Sequence, residues 1–303
     1  MFHDTEKKLI SLFVQKEWDE AYALILQDEP NHPGKLHKFS FWKACLLCIK
    51  NEPDEALATL QNAFDKGFWW NPDLLKGDQD LTPLHEKKAF QGLIDECEKR
   101  KKQAMEEARP LVEFHGNQDP SAAVVVLHGR GGNMEDTIPY WMNEMSVRDC
   151  LFAFLQSSQA AGYEAYGWDD ADKTIREVQG IVNKIIKDYP DVERIILAGF
   201  SQGGKTAIKL VLSEELERTN EFYAVVPAIR EEDLQMGGKS GARGWIVTGT
   251  EDPFYAETKK LKQHLEKQKV KCEWIEYEGM SHTYPEDFTE LFQTSFQSKK
   301  VTR

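Results

Sequence analysis

The stretch Arg194-Ile195-Ile196-Leu197-Ala198-Gly199-Phe200-Ser201-Gln202-Gly203-Gly204 constrains this chain more than any other. Arg194 to Ala198 reads as a short apolar strand, and a helical pattern runs from Gly204 to Arg218. Gly-Phe-Ser-Gln-Gly must therefore turn the chain directly from strand to helix. So tight a turn admits only glycine where strand and helix crowd together. It also lifts the serine above the sheet edge and points the next backbone N–H, that of Gln202, at the same space. Gly-x-Ser-x-Gly alone recurs by accident. Between a strand and a helix it marks Ser201 as a nucleophile, where otherwise it would be a structural turn residue.

A serine hydroxyl needs a base to take its proton and a third group to hold that base. Two histidines follow Ser201. His264 lies on the polar side of an amphipathic helix, where an exposed imidazole is ordinary. His282, in Glu278-Gly279-Met280-Ser281-His282-Thr283-Tyr284, follows a strand and precedes a helix, in the kind of loop where α/β active sites gather. His282 is the expected base. The acid belongs in the loop after the preceding strand, where Gly249-Thr250-Glu251-Asp252-Pro253 offers Asp252 as first choice and Glu251 as the alternative.

Acyl transfer also needs donors for the oxyanion. Leu127-His128-Gly129-Arg130-Gly131-Gly132-Asn133 follows the first buried strand, and its glycines let backbone approach a ligand. The backbone N–H of Arg130 would pair with that of Gln202. His128 is expected to brace this loop. The loop is not a phosphate cradle, because no Gly-Lys-Ser/Thr follows.

The 303-residue chain accommodates two domains. Helical periodicity covers residues 6–15, 18–27, 38–49, 53–65 and 86–108, with Gly67 as a C-cap and Pro110 as a stop. Glu17-Trp18-Asp19-Glu20-Ala21 resembles Glu52-Pro53-Asp54-Glu55-Ala56, and Ala21 and Ala56 stand 35 positions apart. That spacing is close to the ~34-residue tetratricopeptide period. Residues 5–100 thus resemble a degenerate tetratricopeptide region, with an unrelated helical bundle as the alternative. From residue 111 strands alternate with helices, which predicts a mostly parallel sheet covered on both faces. The expected domains are 1–109, helical, and 110–303, α/β.

A net charge of −13 disfavours nucleic acid and anionic membrane surfaces as partners. The basic run at residues 99–102 is expected to be a solvated helix face. Five cysteines at irregular spacing do not form a disulfide framework. Cys45 and Cys48 lie in an apolar helical run and are expected to be buried thiols. The N-terminus lacks the pattern of a signal peptide, and no apolar stretch is long enough to span a membrane. Cytoplasmic location is the expectation.

With these residues in view, residues 110–298 resemble the carboxylesterase/phospholipase family of α/β hydrolases, which includes acyl-protein thioesterases. The likeness rests on the Leu127–Gly132 loop, the elbow Gly199–Gly204, the acid loop and the His282 loop. It implies an α/β-hydrolase fold behind a smaller all-α domain, and metal-free, cofactor-free ester hydrolysis through an acyl-enzyme. The core elements follow one another without a lid-sized insertion, which favours short or soluble acyl esters. Peptidase, amidase or thioesterase activity on the same triad stays open. So does a peptide-binding adaptor with a vestigial hydrolase domain. Trp141, Trp168, Phe254 and Tyr284 are candidates to line the pocket or to serve as core. The helical region is expected to mediate homo-oligomerisation or bind a protein partner. Three places depart from the family pattern, one being Gln156 to Trp168, which is richer in Gly, Ala and Tyr than the proline-bearing loop the resemblance implies. Lys205 stands where a small apolar residue is usual, and Val226-Pro227-Ala228 replaces a Ser-Gly ending.

Overall fold

A computed structural model describes residues 2–142, 150–213, 215–216 and 218–297. The chain divides into two compact units. One comprises Met1–Glu107 with Ala160–Tyr163, the other Ala108–Gln159 with Glu164–Arg303. The outermost residues of the two expected domains, Met1 and residues 298–303, lie outside the described residues.

The first unit is helical. Its main helices are α1 (Phe2–Gln15), α2 (Trp18–Asp28), α3 (Leu36–Ile49), α4 (Pro53–Asp65), α5 (Pro72–Gly77) and α6 (Lys88–Glu107). Pro53 and Pro72 open α4 and α5, where a missing N–H costs nothing. Gly67 ends α4 at a φ of 104°, the left-handed conformation that stops a helix. Helices α3 and α4 interdigitate small and large residues, with Ala44, Cys45, Leu47 and Cys48 buried with Ala56, Leu60 and Ala63. Both cysteines are free, and burial pushes the Cys48 thiol up to about 11. Within the basic run, Lys99 and Lys102 are exposed and Arg100 differs from expectation. Arg100 turns inward, donating to Gly67 O at 2.8 Å and lying 3.9 Å from the Phe64 ring centroid. It closes the carbonyl end of α4, a use of arginine that a charge pattern does not reveal.

The second unit holds a seven-stranded sheet of β1 (Leu111–Gly116), β2 (Ala122–Leu127), β3 (Cys150–Gln156), β4 (Arg194–Phe200), β5 (Thr219–Val225), β6 (Arg243–Gly249) and β7 (Lys271–Tyr277). Their spatial order is β1-β3-β2-β4-β5-β6-β7. Every pairing is parallel except β1 with β3. The continuous apolar runs of β2 and β3 follow from burial on both faces. Ala123, Val125 and Leu127 face one core, with Val178, Val182 and Ile185 of α8 (Ala171–Asp188), Ala207 and Val211 of α9 (Gln202–Leu212), and Leu261 and Leu265 of α10 (Tyr255–Lys267). Ala122, Val124 and Val126 face the other, with Trp141 of α7 (Met134–Trp141) and Phe288, Phe292 and Phe296 of α11 (Phe288–Gln297). Helix α9 ends at Leu212, short of the expected Arg218. Glu214 and Glu217, within that expected span, lie outside the described residues. Among the described residues no helix is long and apolar enough to cross a membrane.

Candidate active site

Ser201 stands between β4 and α9 at φ 53° and ψ −117°, a strained conformation for a residue with a side chain. The neighbouring backbone leaves no alternative. A Cβ on Gly203 would lie 2.3 Å from Leu127 O, and one on Gly199 would lie 2.6 Å from the Gly203 carbonyl carbon. Helix α9 therefore begins hard against the end of β2, and the serine is forced upward. Its own carbonyl accepts from Lys205 N–H at 3.0 Å and Ala228 N–H at 3.1 Å, which pins the turn from both sides.

The structure brings Ser201, His282 and Asp252 together across 81 and 30 positions of sequence. A carboxylate can only accept, so His282 carries its proton on Nδ1 and donates it to Asp252 Oδ2 at 2.7 Å. Nε2 is then the acceptor, and Ser201 Oγ donates to it at 2.8 Å. The Asp252 side chain is 1% exposed and that of His282 27%, so the carboxylate is dry while the imidazole is partly exposed. Asp252 Oδ1 accepts from Phe254 N–H at 2.6 Å, which holds the carboxylate's other oxygen. The two loops are laced together by Glu251 N–H to Met280 O at 3.1 Å and Gly279 N–H to Thr250 Oγ1 at 2.8 Å. The Glu251 residue itself is exposed, and His264 on α10 bonds Met236 O and Gln268.

Gly129 lies directly over the serine, where a Cβ would be 3.6 Å from Ser201 Cβ. The next residue is Arg130. Gln202 is the first residue of α9, so its N–H has no partner within the helix. Gly131 and Gly132 have theirs bonded, to Tyr166 O at 2.8 Å and Gly129 O at 3.1 Å. His128 braces the loop. It donates from Nδ1 to Gly129 O at 2.8 Å and accepts Ser157 N–H on Nε2 at 3.3 Å. Burial pushes its imidazole down to about 4, so it is neutral at neutral pH. Buried Glu177 accepts from the hydroxyl and N–H of the adjacent Ser158.

The four pocket aromatics separate. Phe254 is half-buried, its ring edge-on to His282 at 5.4 Å. Trp141 is 2% exposed, locked in the core against Phe288 at 4.8 Å, and offers no face to a substrate. Trp168 is buried and donates Nε1–H to His128 O at 2.9 Å, a brace for the glycine loop. Tyr284 is buried, stacked between Phe200 at 4.6 Å and Tyr140 at 4.1 Å. Phe200, which sequence reasoning passed over, is half-buried and lies 5.2 Å from the His282 ring. Its place inside the elbow was the available signal. One group among the described residues, Cys45, Asp78 and Asp80 of the helical unit, has ligand atoms close enough to share a metal ion. Burial holds the Cys45 thiol far above its ordinary range, and the thiol form is a poor ligand.

Residues 156–300 match the model of the dienelactone hydrolase family, and residues 5–105 match that of the A/B hydrolase-like N-terminal domain. No curated protein matches. Among solved structures, an uncharacterized protein from Bacillus cereus is 25% identical with a TM-score of 0.53, covering 99% of each chain. Esterase PE8 is 16% identical, TM-score 0.53, over 63% of this chain and 99% of its own. A Bacillus cereus carboxylesterase is 19% identical, TM-score 0.50, over 65% of this chain and 98% of its own. The last two likenesses speak to the fold, and the first extends over both units. Sheet order, elbow and family matches together give the second unit the α/β-hydrolase fold, preceded in sequence by a helical region that matches the A/B hydrolase-like N-terminal domain.

Proposed function

We propose that the chain is a serine carboxylic-ester hydrolase acting on short or soluble acyl esters in the cytoplasm. The observation that carries this is the continuous path from Ser201 Oγ through the His282 ring to Asp252, at 2.8 and 2.7 Å. Ser201 Oγ attacks the ester carbonyl while His282 Nε2 takes its proton, and Asp252 stabilises the imidazolium. The oxyanion takes the N–H groups of Arg130 and Gln202. The tetrahedral intermediate collapses, the alcohol leaves with the proton from Nε2, and an acyl-serine remains. Water, deprotonated by the same nitrogen, attacks the acyl-serine and releases the acid and the serine. Each proton has a donor and an acceptor among these residues, so the cycle calls on no metal or cofactor. Phe254 and Phe200, whose rings both lie beside His282, supply the apolar surface for a small acyl group.

Hydrolysis of p-nitrophenyl acetate, butyrate and octanoate, with Ser201→Ala alongside, tests this. Activity that vanishes in the variant and falls with chain length is expected. Labelling of Ser201 by a fluorophosphonate without turnover of any of the three would move the proposal to a thioester or amide substrate. Neither labelling nor turnover would remove the enzyme reading and leave the adaptor. For residues 1–109 we propose self-association or partner binding through the tetratricopeptide-like helix pair α3 and α4. Light scattering of the full chain, expected to give a dimer or larger, checks the first.

A further inference from the structure

The two residues whose N–H groups would hold the oxyanion come from separate loops, Arg130 after β2 and Gln202 at the start of α9. Their side chains meet at a residue that the mechanism above leaves unused. Asp169 Oδ1 accepts from Arg130 Nη2 at 2.6 Å and from Gln202 Nε2 at 2.8 Å. The Gln202 amide is oriented from its other end, because its Oε1 accepts Trp168 N–H at 3.1 Å. An oxygen must face the backbone N–H and a nitrogen the carboxylate, so the amide has one way to sit. Trp168 ties the same segment to the root of the glycine loop through its bond to His128 O. On the far side, Asp170 N–H donates to Gln159 Oε1 at 2.7 Å, and Asp170 caps α8 through Lys173 N–H. Asp169 thus projects from a backbone held on both flanks. Gly167 packs closely on this pair: a Cβ there would meet Asp169 Oδ2 at 3.3 Å and Gln202 Oε1 at 3.4 Å.

We propose that Asp169 is a positioning residue for ester hydrolysis, its single carboxylate oxygen fixing the spacing of the two loops that present the oxyanion donors. The inference rests on the hydrolase reading above. The side chains of Arg130 and Asp169 are 55% and 57% exposed, and ion pairs so wet contribute little to stability. The consequence of removing the carboxylate therefore falls on geometry at the site. Displacements of a donor by a fraction of an ångström are felt in the transition state, where the oxyanion is short-bonded, more than in substrate binding.

The test compares Asp169→Ala and Asp169→Asn with wild type, by fluorophosphonate labelling rate, kcat and KM on p-nitrophenyl butyrate, and urea midpoint. Asp169→Ala is expected to lose about 10- to 100-fold in kcat and labelling rate with KM and urea midpoint nearly unchanged. Asp169→Asn is expected to recover most of this, because its Oδ1 still accepts from both side chains. An Asp169→Ala variant as fast as wild type would overturn the inference. So would a loss confined to KM that Asn fails to restore, which would make the charge a substrate contact. Wild-type protein that neither labels nor turns over would overturn the hydrolase reading and the inference with it, whereas labelled wild type beside an unaffected Asp169→Ala overturns the inference alone.

Discussion

Gly203→Ala and Gly180→Ala add the same methyl group to two helices of the same unit, and the structure gives them opposite signs. Gly180 is exposed in the middle of α8, and a Cβ there meets nothing within 4 Å. The substitution removes conformational freedom from the unfolded chain and should stabilise by about 0.5–1 kcal/mol. At Gly203 the new carbon would lie 2.3 Å from Leu127 O and 2.5 Å from His128 O. A carbon rests against a carbonyl oxygen at roughly 3.3 Å, so α9 must retreat from the end of β2 by roughly 1 Å. Strain of this kind costs about 1–3 kcal/mol. For a unit of this size that lowers the melting midpoint by roughly 2–12 °C, against a rise of roughly 1–4 °C for Gly180→Ala. The same 1 Å carries Ser201 and the Gln202 N–H away from the glycine loop, and fluorophosphonate labelling should slow about 100-fold in protein that is still folded. Thermal unfolding and labelling rates on the two variants read both effects. A Gly203→Ala protein that melts with wild type and labels at its rate would refute the claim that the elbow is set by contact between α9 and β2.

Asp252→Asn should lower kcat by roughly 10,000-fold, because an amide can present its NH2 group to Nδ1 and so favour the wrong His282 tautomer; steady-state kinetics check this. His128 binds its proton in the unfolded chain from about pH 6.5 downward but in the folded chain only near 4. The unfolded state therefore holds more protons between those values, and stability falls as pH drops through that window, by at most about 3 kcal/mol for this one group. Urea midpoints at pH 7 and 4.5 should accordingly converge in His128→Gln relative to wild type. Glu221 is buried between Arg194, at 2.8 and 2.7 Å, and Arg243, at 2.6 Å. Burial pushes its carboxyl up, but the arginine hydrogen bonds outweigh that and hold it below its ordinary range. Glu221→Ala leaves two apposed arginines and should cost about 3 kcal/mol in urea unfolding.

The residues that meet at the site were legible because each occupies a loop between two elements whose own patterns are plain. The apolar strand β4 and the periodic helix after it leave Ser201 only the apex of a turn, and β6 and β7 do the same for Asp252 and His282. What the sequence did not disclose depends on contacts between distant segments. Strand β1 has a half-exposed pattern that suits either direction, and its antiparallel pairing is decided by the edge of β3. Helix α7 is two turns long with Pro139 inside it, too short for a periodicity to emerge. Trp141 and Phe254 look alike in sequence as large aromatics near site loops. Only the packing of α7 on α11 makes the first core, while the second stays at the rim beside His282. Asp169 meets Arg130 across 39 positions, and nothing local distinguishes it from the acids around it.

Two of the departures from the family pattern, Lys205 and the Val226-Pro227-Ala228 ending, lie at the two ends of one loop segment. Lys205 Nζ lies 3.2 Å from Oδ2 of Asp233, which is 2% exposed, and Lys209 Nζ lies 2.9 Å from Oδ1. Asp233 Oδ2 also accepts Arg230 N–H at 3.0 Å, closing the segment that follows β5. That segment enters through Val226, at a φ of 37°, with its N–H bonded to Val247 O at 2.7 Å, and two residues later Ala228 N–H reaches the carbonyl of Ser201. A buried carboxylate without partners would not stay charged. Burial raises the Asp233 carboxyl, yet the Lys209 bond, the Arg230 N–H and the lysine charges bring it below its ordinary range. An apolar residue at position 205 would take away one of those two lysine charges. The lysines on α9 thus hold the Asp233 end of this segment, while at its start Ala228 N–H supplies the second hydrogen bond to the Ser201 carbonyl.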